Sequence, residues 1–473
     1  MGARDAVNPF YRGHAGSGVR RWAALFYNVS MHVPRMPLPV TRPTVGVARA
    51  VCRAVCRAGQ ARVRRAGATL LPLVAAGALA GCDGSSAAPA DTKTITIGGV
   101  FSVSGNWATL GVTSKAAMQV GIEDVNQSLV AAGSGLRFAA EIIDTKLDTS
   151  LTLSAVRALK AKQVEVVLGP QSSAEVAALK AFVDANEMLV ISPSSTAGTL
   201  AIANDNIFRL TPSDTLEAVA LVALMKADGV KTVIPFWRKD AGNVGLQVAT
   251  RALFAPAGTV KPGVEYATTT TDYGASIAAL KAQVQAAITE RGSPTGIAIA
   301  HAGFDEVVNI FTLAAGDPVL SSVRWYGTDG TALSEPLRSD TKAAAFAKQV
   351  AFWAPLPGVD DAASVRWQPV AARIAAVAKA QPDAFALAVY DAVWLTAQAY
   401  LATGGMGRVT GLKAAFVTAA GSFYGASGWT KLNAAGDRQF GDFDFFAIAQ
   451  PATAYRWDLA AHYNTQSGVL TRR

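Results

Sequence analysis

Two stretches of the chain place reactive residue types at close spacing. VVLGPQSSAEVAAL runs from Val166 to Leu179 and LVISPSSTAGTL from Leu189 to Leu200, each an apolar run that stops in small hydroxyl residues. Such clusters could supply a serine nucleophile, a cradle of hydroxyl and N–H groups for a small anion, or helix caps. Ser172-x-x-Glu175 has capping-box spacing, so Ser172 is expected to open a helix. If the two apolar runs are neighbouring strands, Ser172, Ser173, Ser194, Ser195 and Thr196 face one crevice. Hydroxyls beside free N–H groups at a helix start are matched to a carboxylate.

The nucleophile reading needs a histidine within reach. Of the four His, His14 and His32 lie near the N-terminus, which leaves His301 and His462. No G-x-S-x-G surrounds Ser172 or Ser173. A Ser173/His301/Asp329 triad is the arrangement still conceivable, and a serine hydrolase built on it is kept as an alternative. H-E-x-x-H, Walker A and C-x-x-C patterns are absent, and GSGLRF (Gly133–Phe138) lacks the third glycine of a dinucleotide fingerprint. The chain is therefore expected to be a binding protein and not an enzyme, with no cofactor and no metal.

The elements that position these residues follow from periodicity. Candidate strands TITIGGVF (94–101), FAAEIID (138–144), VEVVLG (164–169) and MLVIS (188–192) alternate with helix-period segments such as 114–126 and 154–163. The alternation resumes with KTVIPFW (231–237), GVEYAT (263–268), GIAIAHA (296–302), VRWYGTD (323–329) and VAFWAPL (350–356). Strands alternating with helices predict parallel sheets with right-handed crossovers. About twelve strands is too many for one compact open sheet, so the fold class is α/β with two Rossmann-like lobes joined by a multi-strand hinge. Asp214-x-x-Glu217 has capping spacing at the head of the next helix, which places the passage between lobes near Leu210–Ser213.

Charge separates the leader from the rest. The formal net charge is +9, but residues 1–81 hold 12 Arg against one acid, Asp5, so residues 82–473 net −2 and give no case for nucleic acid. Arg53, Arg57, Arg62, Arg64 and Arg65 precede a 16-residue apolar stretch, Ala66–Gly81, which is short for a membrane span. Leu79-Ala80-Gly81-Cys82 resembles the lipobox of bacterial lipoproteins, in which the cysteine is lipidated after signal cleavage. Residues 82–92 suit a flexible tether. Asp83 resembles an inner-membrane retention signal. Cys52 and Cys56 lie in the leader, so no disulfide is expected downstream.

In order and spacing, VFSVSGNWATLG (100–111), VVLGPQSS (166–173), ISPSST (191–196), FRLTPSD (208–214), WYGTDG (325–330), YDAVWLTAQAY (390–400) and GDFDFFAI (441–448) carry a resemblance. The chain resembles the substrate-binding proteins of branched-chain amino-acid ABC transporters, with the type I periplasmic binding fold, over roughly residues 94–450. The resemblance implies that Ser173 and Thr196 hold a ligand α-carboxylate and that Ser194 offers its carbonyl to the α-ammonium. Asp329 would pair with the same ammonium, Trp107 and Leu110 would meet the ligand side chain, and Phe304 would form an aromatic wall. Relatives carry Tyr where Gly242 stands, so Asn243 or Trp237 substitutes, or the pocket has another shape.

The implied protein captures a small amino acid, or a related carboxylate or amide, by hinge closure and delivers it to an ABC permease in the inner membrane. A ligand-sensing domain of the same fold is the alternative. The expected organisation is a leader (1–81), the tether, a first lobe (93–211 plus about 357–425), a second lobe (212–350 plus about 426–452) and a C-terminal tail (453–473). The protein is expected as a monomer on the periplasmic side of the cell envelope, touching membrane only through a lipid on Cys82.

Overall fold

The computed structural model describes residues 92–405 and 409–473. The leader, Cys82 and the tether up to residue 91 lie outside the described residues. The described chain opens with β1 (Lys93–Phe101), α1 (Ala108–Ala131), β2 (Leu136–Asp144), α2 (Thr149–Ala161), β3 (Val166–Leu168), α3 (Ser173–Ala185), β4 (Leu189–Ser192) and β5 (Ile207–Arg209). These strands form a parallel sheet in the order β2-β1-β3-β4-β5. Every residue of β3 and β4 is buried, as expected of strands covered by helices on both faces. Val156 and Leu159 of α2 and Val176 and Leu179 of α3 pack with Val100, Val167 and Val190 of the sheet.

A glycine pair lets the layers approach β1 this closely. A Cβ on Gly98 would stand 2.7 Å from Leu159 of α2, and one on Gly99 would stand 2.8 Å from Met118 of α1. Alternate residues of a strand face opposite sides, so each glycine admits one helix layer.

The second lobe runs through α4 (Asp214–Ala227), β6 (Thr232–Arg238), α5 (Ala241–Phe254), β7 (Thr259–Val260), β8 (Val264–Tyr266), α6 (Gly274–Arg291) and β9 (Ile297–Ala302). It continues with α7 (Val307–Ala314), β10 (Arg324–Tyr326), α8 (Glu335–Ser339), α9 (Thr341–Gln349) and β11 (Trp353–Pro357). The chain then returns to the first lobe, where α10 (Ser364–Ala378) and α11 (Ala384–Ala402) pack on α1 and α12 (Val409–Ala420) packs on α11. Helix α11 is 19 residues long with mean hydropathy 1.2, enough to cross a membrane, but 78% of its apolar stretch is buried inside the fold.

After the hairpin of β12 (Tyr424–Gly425) and β13 (Gly428–Trp429), the chain adds β14 (Phe443–Ala449), β15 (Arg456–Asn464) and β16 (Val469–Arg472) to the second sheet. That sheet has nine strands, in the order β16-β15-β14-β11-β10-β9-β6-β7, with β8 also on β6. Its β6–β11 part is parallel, but β14, β15 and β16 are antiparallel, so this lobe is mixed where a parallel sheet was expected. The expected C-terminal tail is corrected as well. Residues 456–472 form a sheet edge, with Ala461 and Tyr463 in the core. The apolar positions Trp457, Leu459, Ala461 and Tyr463 alternate along β15, the period-2 signal of a half-buried strand.

The chain crosses between the sheets after β5, after β11 and before β14, and these crossings bond to one another. Arg209 N–H donates to Gly436 O (3.0 Å), Arg438 N–H to Arg209 O (2.8 Å) and Gly358 N–H to Asp442 O (2.7 Å). The buried Arg209 side chain forks onto Asp437, with Nε to Oδ1 at 2.6 Å and Nη2 to Oδ2 at 2.7 Å. Its Nη1 donates to Ala197 O (2.6 Å), which ties the hinge to the second hydroxyl loop.

Candidate ligand-binding cleft

Strands β3 and β4 are neighbours, so the loops that follow them meet at the carboxyl end of the sheet, where open α/β sheets bind ligands. The Ser172 capping box forms: Ser172 Oγ accepts from Glu175 N–H (3.3 Å), and Ser172 N–H donates to Glu175 Oε2 (3.1 Å). Ser173, the first residue of α3, uses its hydroxyl to join the loops. Its Oγ accepts from Thr196 N–H (3.2 Å) and Ala197 N–H (3.1 Å) and lies 3.0 Å from Ser195 Oγ. Ser194 Oγ donates to Gln171 O (2.9 Å). The two clusters are thus one structure, with backbone N–H groups turned toward a single hydroxyl.

The second lobe covers this wall. Asp240 caps α5 through Asn243 N–H (3.1 Å), and the start of α5 comes so near that a Cβ on Gly242 would stand 3.4 Å from Ser173 Oγ. Phe304 follows β9 and Asp329 follows β10. Trp107 sits at the N-cap of α1 with φ +59°, a left-handed conformation costing a non-glycine residue about 1–3 kcal/mol, and its indole stacks on Phe304. Asn106 Nδ2 donates to Glu306 Oε2 across the same gap (2.8 Å).

Between these walls lies a small cavity of about 20 Å³. Of the residues expected at the site, Ser172, Ser173, Ser194, Thr196, Trp107, Asn243, Phe304 and Asp329 line it. Leu110 is the exception: it is 1% exposed and belongs to the hydrophobic core, because it lies a turn inside α1. Two lining residues were not anticipated, Asp214 and Leu246. Asp214 is the instructive one. Its spacing to Glu217 predicts a cap, but Ser213 occupies the N-cap and Asp214 is the first helical residue, with its N–H on Thr196 O (2.9 Å). The side chain is therefore free to face the cavity.

Burial dominates the electrostatics. It pushes the Asp214 carboxyl up to about 7 against the pull of the Thr196 hydroxyl and the Arg209 guanidinium, with Asp240 adding to the rise. Although Thr196 is near, neither oxygen of Asp214 accepts a hydrogen bond of good geometry. Asp329 is pushed up to about 8, by burial first and then by Asp214. Glu217, whose Oε1 accepts the Asp329 N–H (3.0 Å), is raised well above the usual range by burial, Asp329 and Asp214. Taking a carboxylate out of water beside others of the same sign favours the protonated form.

Other expectations meet the geometry here. Trp237 does not line the cavity; its Nε1 donates to Glu265 Oε2 (3.1 Å) and Arg251 lies 5.6 Å above its ring. The aromatic missing at Gly242 is thus not replaced by another ring, and the helix backbone fills the space. A Ser173/His301/Asp329 triad is not assembled: Ser173 bonds within its own lobe, and His301 Nε2 lies 3.1 Å from Tyr266 Oη. Burial lowers His301 to about 4, partly offset by Glu306. Among the described residues no cluster of His, Cys, Asp and Glu could hold a metal ion.

The chain matches the receptor family ligand binding region over residues 113–450. An uncharacterised protein of Methanocaldococcus jannaschii is 28% identical over 395 residues, covering 80% of this chain and 91% of that protein. Among solved structures, the branched-chain amino-acid transporter substrate-binding protein LivJ of Streptococcus pneumoniae, in complex with isoleucine, aligns with a TM-score of 0.63 at 21% identity. It covers 78% of this chain and 100% of that one. The leucine-binding protein LivK of Thermotoga maritima aligns with a TM-score of 0.65 at 18% identity, over 79% of this chain and 99% of that one. With two α/β lobes closing over one cleft, the chain belongs to the receptor ligand-binding-region family and has the type I periplasmic binding fold.

Proposed function

We propose that the protein is the solute-binding component of an ABC importer. It takes a small amino acid, or a related carboxylate or amide, into the cleft between its sheets. The observation that carries this reading is the polarity of the cavity. One wall carries the hydroxyls of Ser173, Ser194 and Thr196 beside the start of α3, and the other presents Asp329. These are the two poles an α-carboxylate and an α-ammonium require, since a charge removed from water needs a partner.

A cavity of about 20 Å³ is near the volume of one water, so an amino acid enters only when the lobes part. The three hinge crossings allow that motion, and closure brings Phe304 and Asp329 over the hydroxyl wall. Ligand favours the closed form only by its differential affinity for the two states. The closed form is what a permease in the inner membrane would recognise. A lipid on Cys82 would hold the protein, as a monomer, on the periplasmic side of that membrane.

Thr196→Ala and Asp329→Ala test the assignment, since each leaves a charged ligand group unpaired in a desolvated cleft. Calorimetry with the amino acid that stabilises the wild type should show affinity lower by about tenfold or more. Near-unchanged affinity in both variants would remove the cleft from the binding reaction.

A further inference from the structure

The cleft holds more acid than an α-ammonium can answer. Asp214 and Asp329 both line the cavity, and Glu217 lies directly behind Asp329. All three are buried, and both oxygens of Asp214 and Oε2 of Glu217 accept no hydrogen bond. The cations near them are engaged elsewhere. Arg209 is forked onto Asp437, and Arg238 pairs with Asp240 (3.1 Å) and Glu306 (3.7 Å). Asp240 and Asp383 add charge of the same sign around Asp329.

The wide mouth of the cleft continues the pattern. It is lined by Asp148, Asp240, Asp305 and Glu306 against Lys146 and Arg238. Low-dielectric walls focus such a field on the ligand. A zwitterionic amino acid brings one ammonium, and its carboxylate goes to the hydroxyl wall. Asp214, both of whose oxygens accept no hydrogen bond, is then unanswered.

Resting on the solute-binding reading of the same cleft, we propose that the ligand is a compound with two cationic nitrogens, a dibasic amino acid or a diamine, held against Asp214 and Asp329. Without such a ligand burial raises these carboxyls to about 7 and about 8, so at neutral pH Asp214 is partly and Asp329 mostly protonated. A dication replaces those protons, which leave to solvent, and its two charges form charge-assisted hydrogen bonds in the dry cleft.

Thermal unfolding of the full chain with L-arginine, L-lysine, putrescine, L-leucine and benzoate tests this. At least one of the three dicationic compounds should raise the midpoint by about 3 °C or more at a concentration 100-fold above its Kd, with smaller shifts from leucine and benzoate. Asp214→Asn and Asp329→Asn should abolish that shift while leaving the ligand-free midpoint equal or higher, since each removes a carboxyl that must take up a proton, or stay charged, to be buried. A carboxylate with a merely structural role would lower the ligand-free midpoint and leave the shift intact. Stabilisation by leucine or benzoate but by none of the three dications overturns the inference and leaves the solute-binding reading standing. Stabilisation by none of the five overturns that reading and the inference with it.

Discussion

Trp107 and Phe304 stack with ring centroids 4.5 Å apart and planes inclined by 32°, although one follows β1 of the first sheet and the other follows β9 of the second. Phe385 meets the indole edge-on at 6.4 Å, so Trp107 is braced from its own lobe while it reaches the other. Asn106 to Glu306 and Thr109 to Asp305 flank the stack as hydrogen bonds between lobes. The pair joins the two sheets, so parting them would break it.

Phe304→Ala should therefore shift the balance toward the open form. Tilted aromatic pairs contribute about 0.5–1.5 kcal/mol beyond area burial, so the open population should rise by about 2- to 10-fold. Small-angle scattering of the ligand-free protein would show a larger radius of gyration. An unchanged scattering curve would mean that the stack does not hold the lobes.

The Arg209–Asp437 fork joins residues 228 positions apart, with both side chains almost fully buried. Asp437→Asn leaves the guanidinium without its counter-charge and should cost about 3–5 kcal/mol in urea unfolding. The double variant Arg209→Met/Asp437→Leu should recover much of that loss, because replacing both partners avoids an unpaired buried charge. If the single variant unfolded like the wild type, the fork would not be a structural tie of the hinge.

Stability of the ligand-free protein should fall as pH rises above neutral. Asp214 and Asp329 are raised to about 7 and about 8, so between their unfolded values near 4 and these values the folded state holds more protons than the unfolded chain. The stabilisation is complete at acid pH and is lost through pH 7–8. His301, lowered to about 4, is neutral in both states above about pH 7 and does not offset the fall. Melting curves from pH 6.5 to 9 should show a midpoint that declines up to about pH 8 and then levels, and Asp329→Asn should flatten the decline. A flat wild-type profile would show that these carboxyls are not protonated in the fold.

Much of this arrangement was legible without coordinates. The apolar runs that became β3 and β4 are continuous because both sheet faces are covered, and a loop after a parallel strand must lie at the sheet's carboxyl end. Ser172 and Glu175 meet because capping is local chemistry with fixed spacing, and the alternation along β15 was equally local though read as a tail.

Tertiary structure alone decided which side chains see the cavity. Asp214 and Glu217 have the spacing of a cap, and only the turn at Ser213 and the approach of β10 turned them into buried acids beside Asp329. Leu110, three residues after Trp107 and inside α1, is buried in the core and does not line the cavity. The approach of Gly242 to Ser173 joins positions 69 residues apart, one on each side of the cleft. Local sequence specifies caps, strands and turns, because their partners lie within a few residues. The charge state of a buried carboxylate depends on desolvation and on neighbours brought from distant segments, so it exists only once the two lobes have met.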